Sequence, residues 1–112
     1  MIEALWAVYF VAPNQGDSGA GVVVLENGTI RGGDSSYYYV GDFRVKEETL
    51  LIANVSVNHY DGALNNIFGP VKKINVVLTG NISYEEFTLT GNSVETRQPV
   101  IVKFKRIAEI SA

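Results

Sequence analysis

Leu25-Glu26-Asn27-Gly28-Thr29-Ile30 decides the fold. Asn-Gly supplies the two positive-φ residues of a type I′ turn, the strongest short hairpin signal in a sequence. The turn pairs Leu25 with Ile30 and makes a hairpin of Val22-Val23-Val24-Leu25 and the strand after it. The same reading extends outward in both directions. Val and Ile are abundant, aromatics are 11% of the residues, and Gly and Asn interrupt the chain at short intervals. No segment sustains a helical apolar period. The pattern predicts eight strands, near residues 3–12, 18–26, 29–33, 36–45, 49–60, 72–80, 84–91 and 99–109.

The last two strands pair in a register that their side chains dictate. Setting Phe87 against Phe104 places Leu89 opposite Val102 on the same face. Glu86 then meets Lys105 and Thr88 meets Lys103 on the other face. One parity gives an apolar inside and a charge-complementary outside, which is what pins register in a half-buried sheet. Ile74, Val76 and Leu78 extend the inner face, and so do Leu51, Ala53, Val55 and Val57.

Two stretches break the alternation. Leu5 to Val11 is apolar on both faces, with Leu5, Ala7, Tyr9 and Val11 set against Trp6, Val8 and Phe10. Val22 to Leu25 is similar. A strand that is apolar on both faces needs a second cover. A second copy of the chain supplies it most simply. A helix or loop is the other way, but no other segment is long enough to do it well. The expected contact is the Leu5, Ala7, Tyr9 and Val11 face, with Tyr38 as a further member. In Tyr37-Tyr38-Tyr39, alternation sends Tyr38 to the face opposite the other two.

Gly32-Gly33-Asp34 implies a sharp bend or bulge between strands. Asp61 to Pro70 is the one long connection, with an expected helical turn at Ala63–Ile67 capped by Asp61. Eight short strands in sequential hairpins point to an all-β, antiparallel, up-and-down barrel, because closure removes exposed sheet edges. An eight-stranded barrel is either filled by side chains or holds one small ligand. Trp6, Phe10, Phe87 and Phe104 are bulky enough to suggest a filled interior.

The 112 residues fit one domain, 1–112, large enough for a real core. There is no cysteine, so neither disulfides nor a thiolate metal site holds the fold together, which fits a reducing compartment. Met1 to Pro13 lacks a basic start, carries Glu3, and is too short to span a bilayer; it reads as a first strand and not as a signal peptide. The Asn-x-Ser/Thr triplets at Asn27, Asn54 and Asn81 then read as chance. Nine basic and twelve acidic residues give a net charge of −3. That balance argues against direct nucleic-acid binding.

Catalytic chemistry finds little support. Gly16-Asp17-Ser18-Gly19 matches the segment around the nucleophile of chymotrypsin-like proteases, but the only histidine, His59, follows it in the chain where that family has the histidine precede. His59 has neither a second histidine nor a cysteine to share a metal with. Glu47-Glu48 and Glu85-Glu86 are strand neighbours and point apart. No catalytic residue, metal ligand or cofactor site is assigned.

The segment Gly21 to Asp34, with Tyr37-Tyr38-Tyr39 and Gly41 after it, has company in Trp6-Ala-Val-Tyr-Phe10, Phe68-Gly69 and Phe87-Thr-Leu-Thr-Gly91. In this order the motifs resemble the GrlR family, small negative regulators of type III secretion gene expression in bacteria. The resemblance implies a lipocalin-like eight-stranded barrel, a cytoplasmic homodimer, and a protein that acts by binding a transcriptional activator, with no enzymatic activity. A run of four acidic residues engages the partner in the family's best-known regulator. Here that stretch reads Val45-Lys46-Glu47-Glu48, so only Glu47 and Glu48 carry the partner contact over and Lys46 reverses a charge. Two expectations follow. A protein-sequestering barrel implies a tight interior; a small-molecule-binding barrel implies an apolar cavity with a few aimed polar groups.

Overall fold

The computed structural model describes residues 2–13, 17–64 and 66–110, with the backbone alone at Asp17. Eight strands form a closed antiparallel barrel in sequence order: β1 (Ala4–Ala12), β2 (Asp17–Glu26), β3 (Thr29–Gly33), β4 (Tyr37–Lys46), β5 (Leu50–His59), β6 (Lys73–Asn81), β7 (Glu86–Ser93) and β8 (Pro99–Ala108). β8 pairs back onto β1 and closes the ring. This is the up-and-down, lipocalin-like architecture expected from the pattern of strands and turns.

The decisive turn forms as read. Asn27 and Gly28 take φ of 51° and 74°, Leu25 pairs with Ile30, and Glu26 pairs with Thr29. The last hairpin holds its expected register through Glu86↔Lys105, Phe87↔Phe104, Thr88↔Lys103 and Leu89↔Val102. Its surface ion pair forms on the diagonal, Lys103 Nζ to Glu86 Oε1 at 3.3 Å. Both side chains are half exposed, so the pair contributes no more than about 1 kcal/mol.

Two ends of the barrel differ. One carries the β2–β3, β4–β5 and β6–β7 turns, and it is packed shut. Trp6 is fully buried there, edge-on to Phe87 at 4.9 Å and to Phe104 at 6.2 Å, while Phe87 and Phe104 stack at 4.8 Å. A bulge aligns the closing strands: Leu5 pairs with Ala108 but Trp6 pairs with Arg106. The Arg106 guanidinium thereby sits 4.9 Å from the Trp6 ring centre and 4.0 Å from that of Tyr84, a cation over two aromatic faces. Its Nε donates to the Tyr84 carbonyl at 2.8 Å. The opposite end carries the β3–β4, β5–β6 and β7–β8 connections.

Three expectations need correction. Gly32-Gly33 makes no bulge, since β3 keeps an unbroken register with both neighbours. The glycines serve close approach instead: a Cβ on Gly32 would lie 2.0 Å from the Val22 carbonyl oxygen. Ala63–Ile67 forms no helical turn among its described residues. The connection is instead bent at Gly62 and Gly69, both with positive φ, and bridged from Asn66 to Gly69, so Ile67 and Phe68 are both buried. Lastly, the interior is filled at one end only.

Candidate functional site

The unfilled half of the barrel is a cavity of about 250 Å³. Its wall is the inward parity of the strands, including Val8, Val23, Leu25, Ile30, Leu51, Val55, Val76, Leu78 and Val102. The volume exceeds the ~150 Å³ of an engineered apolar cavity that takes up benzene. It lies just under the ~300 Å³ lower end of drug-sized pockets. The space therefore admits only a small molecule.

Phe10 lines this space without filling it. It faces Gly19 across β1 and β2, and its ring takes the room a Gly19 Cβ would need, 2.9 Å away. Tyr39 uses Gly21 the same way, its hydroxyl 3.0 Å from where a Cβ would stand. The two rings meet edge-on at 6.1 Å. Glycine at both wall positions lets large rings lie back and leaves the lumen open.

Polar groups gather where β4 begins. Asp34 Oδ1 accepts the backbone N–H of Ser36 at 2.9 Å and of Tyr37 at 2.8 Å, an Asx turn that starts the strand. The Tyr39 hydroxyl donates to Asp34 Oδ2. The β5–β6 connection is tied over this end. Tyr60 donates its hydroxyl to the Asp34 carbonyl at 2.6 Å, and Tyr37 donates its hydroxyl to the Val71 carbonyl at 2.5 Å. Ile67, Phe68 and Asn66 of that connection line the cavity. His59 ends β5 beside them, its ring 5.4 Å from Tyr37 and its Nε2 2.9 Å from the Gly62 carbonyl. Among the described residues no three His, Asp or Glu side chains group as metal ligands. Part of the Gly16–Gly19 segment lies outside the described residues; Ser18 is exposed and lines the cavity.

Burial pushes the Tyr39 phenol well above the ordinary tyrosine value of about 10, and the bonded Asp34 carboxylate pushes it further. Tyr37 is raised too, by burial first; the Asn66 backbone lowers it in part and the Asp34 charge adds to the rise. Both phenols hold their protons more tightly folded than unfolded. The stability they contribute is complete below about pH 10 and is lost as the pH rises beyond it. Resistance to urea should therefore fall steeply above about pH 10, and less so in Tyr39→Phe. Equal slopes for the two proteins would contradict this origin of the alkaline loss.

The residues singled out in the sequence fall into two places. Leu5, Ala7, Tyr9 and Val11 share the outer face of β1, where Tyr9 and Val11 are exposed. Register carries that face across the sheet through Ala7↔Val22, Val22↔Gly33 and Gly33↔Tyr38, so exposed Tyr38 joins it. Val22 and Val40 are exposed on the same side. Glu47 and Glu48 lie apart, exposed in the β4–β5 turn at the closed end, with φ of 50° and 71°. Sequence reading missed Asp34 as a cavity-lining residue. Its signal was local, an Asp opening Asp-Ser-Ser-Tyr, but nothing local says that this turn faces a cavity. The chain matches no protein-family model and no curated protein sequence.

Proposed function

We propose that this protein is a non-enzymatic binding barrel that takes a small, mainly apolar molecule into its interior. The supporting observation is the cavity itself: apolar walls, one closed end, and a few polar groups gathered at the other. A tight core would have favoured a purely protein-binding role. The test is a fluorescence titration with the uncharged probe N-phenylnaphthylamine. A saturable rise in emission at one probe per chain is expected; a featureless titration would remove the reading.

A second reading follows the resemblance to GrlR-like regulators, in which a dimer sequesters a transcriptional activator. Two observations favour it. Glu47 and Glu48 are exposed together in left-handed backbone, which non-glycine residues adopt at a cost and which concentrates at functional sites. The apolar outer face around Tyr9 and Tyr38 suits a second copy of the chain. Tyr9→Lys should leave the barrel folded and convert a dimer to monomer in light scattering; an unchanged mass would move the contact elsewhere. Glu47→Lys with Glu48→Lys should release an activator that the unaltered protein retains on a column.

A further inference from the structure

The cavity wall carries an acid with no base to match it. Asp34 is the only carboxylate among the described residues that line the cavity, and no Lys, Arg or His lines it with them. The ion pairs among the described side chains lie elsewhere, at Lys103–Glu86 and Arg106–Glu109. A carboxylate offers about four acceptor positions. Three are taken: Oδ1 accepts from Ser36 and Tyr37, and Oδ2 accepts from Tyr39. One position on Oδ2 is left over. The neighbouring phenols stay protonated and bring no positive charge.

An anion withdrawn from water is costly unless a cation meets it, and attraction between opposite charges grows as water is excluded. A ligand carboxylate at this end would face Asp34 with no cationic partner. An ammonium would find the free Oδ2 position, the Tyr39 oxygen as a second acceptor, and the Asn66 side-chain carbonyl in the same lining. Its apolar tail would run towards Leu51, Val76 and Leu78. We infer that the barrel selects a small amphiphile ending in a protonated amine and rejects one ending in a carboxylate. This rests on the cavity being a binding site.

The experiment is displacement of N-phenylnaphthylamine at neutral pH by octylamine, octanol and octanoate, three heads on one tail. Octylamine should displace the probe at a concentration at least about tenfold below octanoate, with octanol between them. The same series is run on Asp34→Asn, which keeps a carbonyl oxygen for the Ser36 and Tyr37 N–H groups while removing the charge. There the gap between amine and acid should shrink to within about threefold. The order of the three heads on the unaltered protein stands whether or not the variant folds. Octanoate equal to or better than octylamine would overturn the head-group assignment and leave the binding barrel intact. A gap that persists in folded Asp34→Asn would do the same for Asp34. A probe that never binds would remove the cavity as a site, and this inference with it.

Discussion

Trp6→Ala should destabilise the barrel by about 4 kcal/mol, the range measured for truncating a buried aromatic. Trp6 is fully buried and touches both rings of the Phe87–Phe104 stack. Its indole N–H donates to the Ile2 carbonyl at 2.9 Å, which ties down the chain ahead of β1. Its face also receives Arg106, whose side chain is only 9% exposed and would lose part of its packing. A domain of this size has only ~5–15 kcal/mol of stability in all, so the variant should unfold at far lower urea concentration. Loss of less than about 1 kcal/mol would mean that the closed end collapses around the gap, and that the aromatic cluster is not what shuts the barrel.

Val55→Trp should do the reverse: keep the fold and abolish the proposed binding. Val55 points into the lumen from β5 and is only half-buried despite facing inward, because the cavity lies in front of it. A larger side chain there grows into free volume. Overpacking a filled core costs roughly 1–3 kcal/mol, whereas here new contacts with the far wall offset most of it. Probe affinity should fall by at least about tenfold, since each lost 1.4 kcal/mol of contact is a factor of ten. Unfolding and titration on the same preparation separate the two effects. Unchanged probe binding in a folded Val55→Trp would put the probe outside the barrel, and the exposed face around Tyr9 and Tyr38 would be the next place to look.

The two variants divide one interior between stability and the proposed binding. The aromatic end buries Trp6, Phe87 and Phe104 against one another, and of these rings only Phe104 borders the cavity. The other end is lined mainly by aliphatics, and two of its rings, Phe10 and Tyr39, are drawn back over Gly19 and Gly21. That asymmetry also explains why Glu47 and Glu48 cannot share a site with Asp34: they belong to turns at opposite ends of the strands. Any coupling between a ligand in the cavity and a partner at the β4–β5 turn would have to run along β4, which carries Tyr39 near its start and Lys46 at its end.

What the amino-acid order determined was everything carried by neighbours and by parity. Asn27-Gly28 sets one hairpin, and the Phe87 and Phe104 strands set another, because a slip of one residue would turn every apolar side chain outward. The same parity separated Tyr38 from Tyr37 and Tyr39, and it marked β1 as apolar on both faces. What only the tertiary structure decided was volume and convergence. Whether eight strands enclose a core or a cavity depends on how rings from one strand meet residues on another. Phe10, bulky in the sequence, leaves space because Gly19 stands opposite it. Asp34 becomes a cavity-lining residue because closing the ring and bringing the β5–β6 connection across its end set its carboxylate beside Tyr39, Asn66 and an apolar wall. Pairing is a local, periodic property and can be read along the chain; an empty space is defined by all of its walls at once.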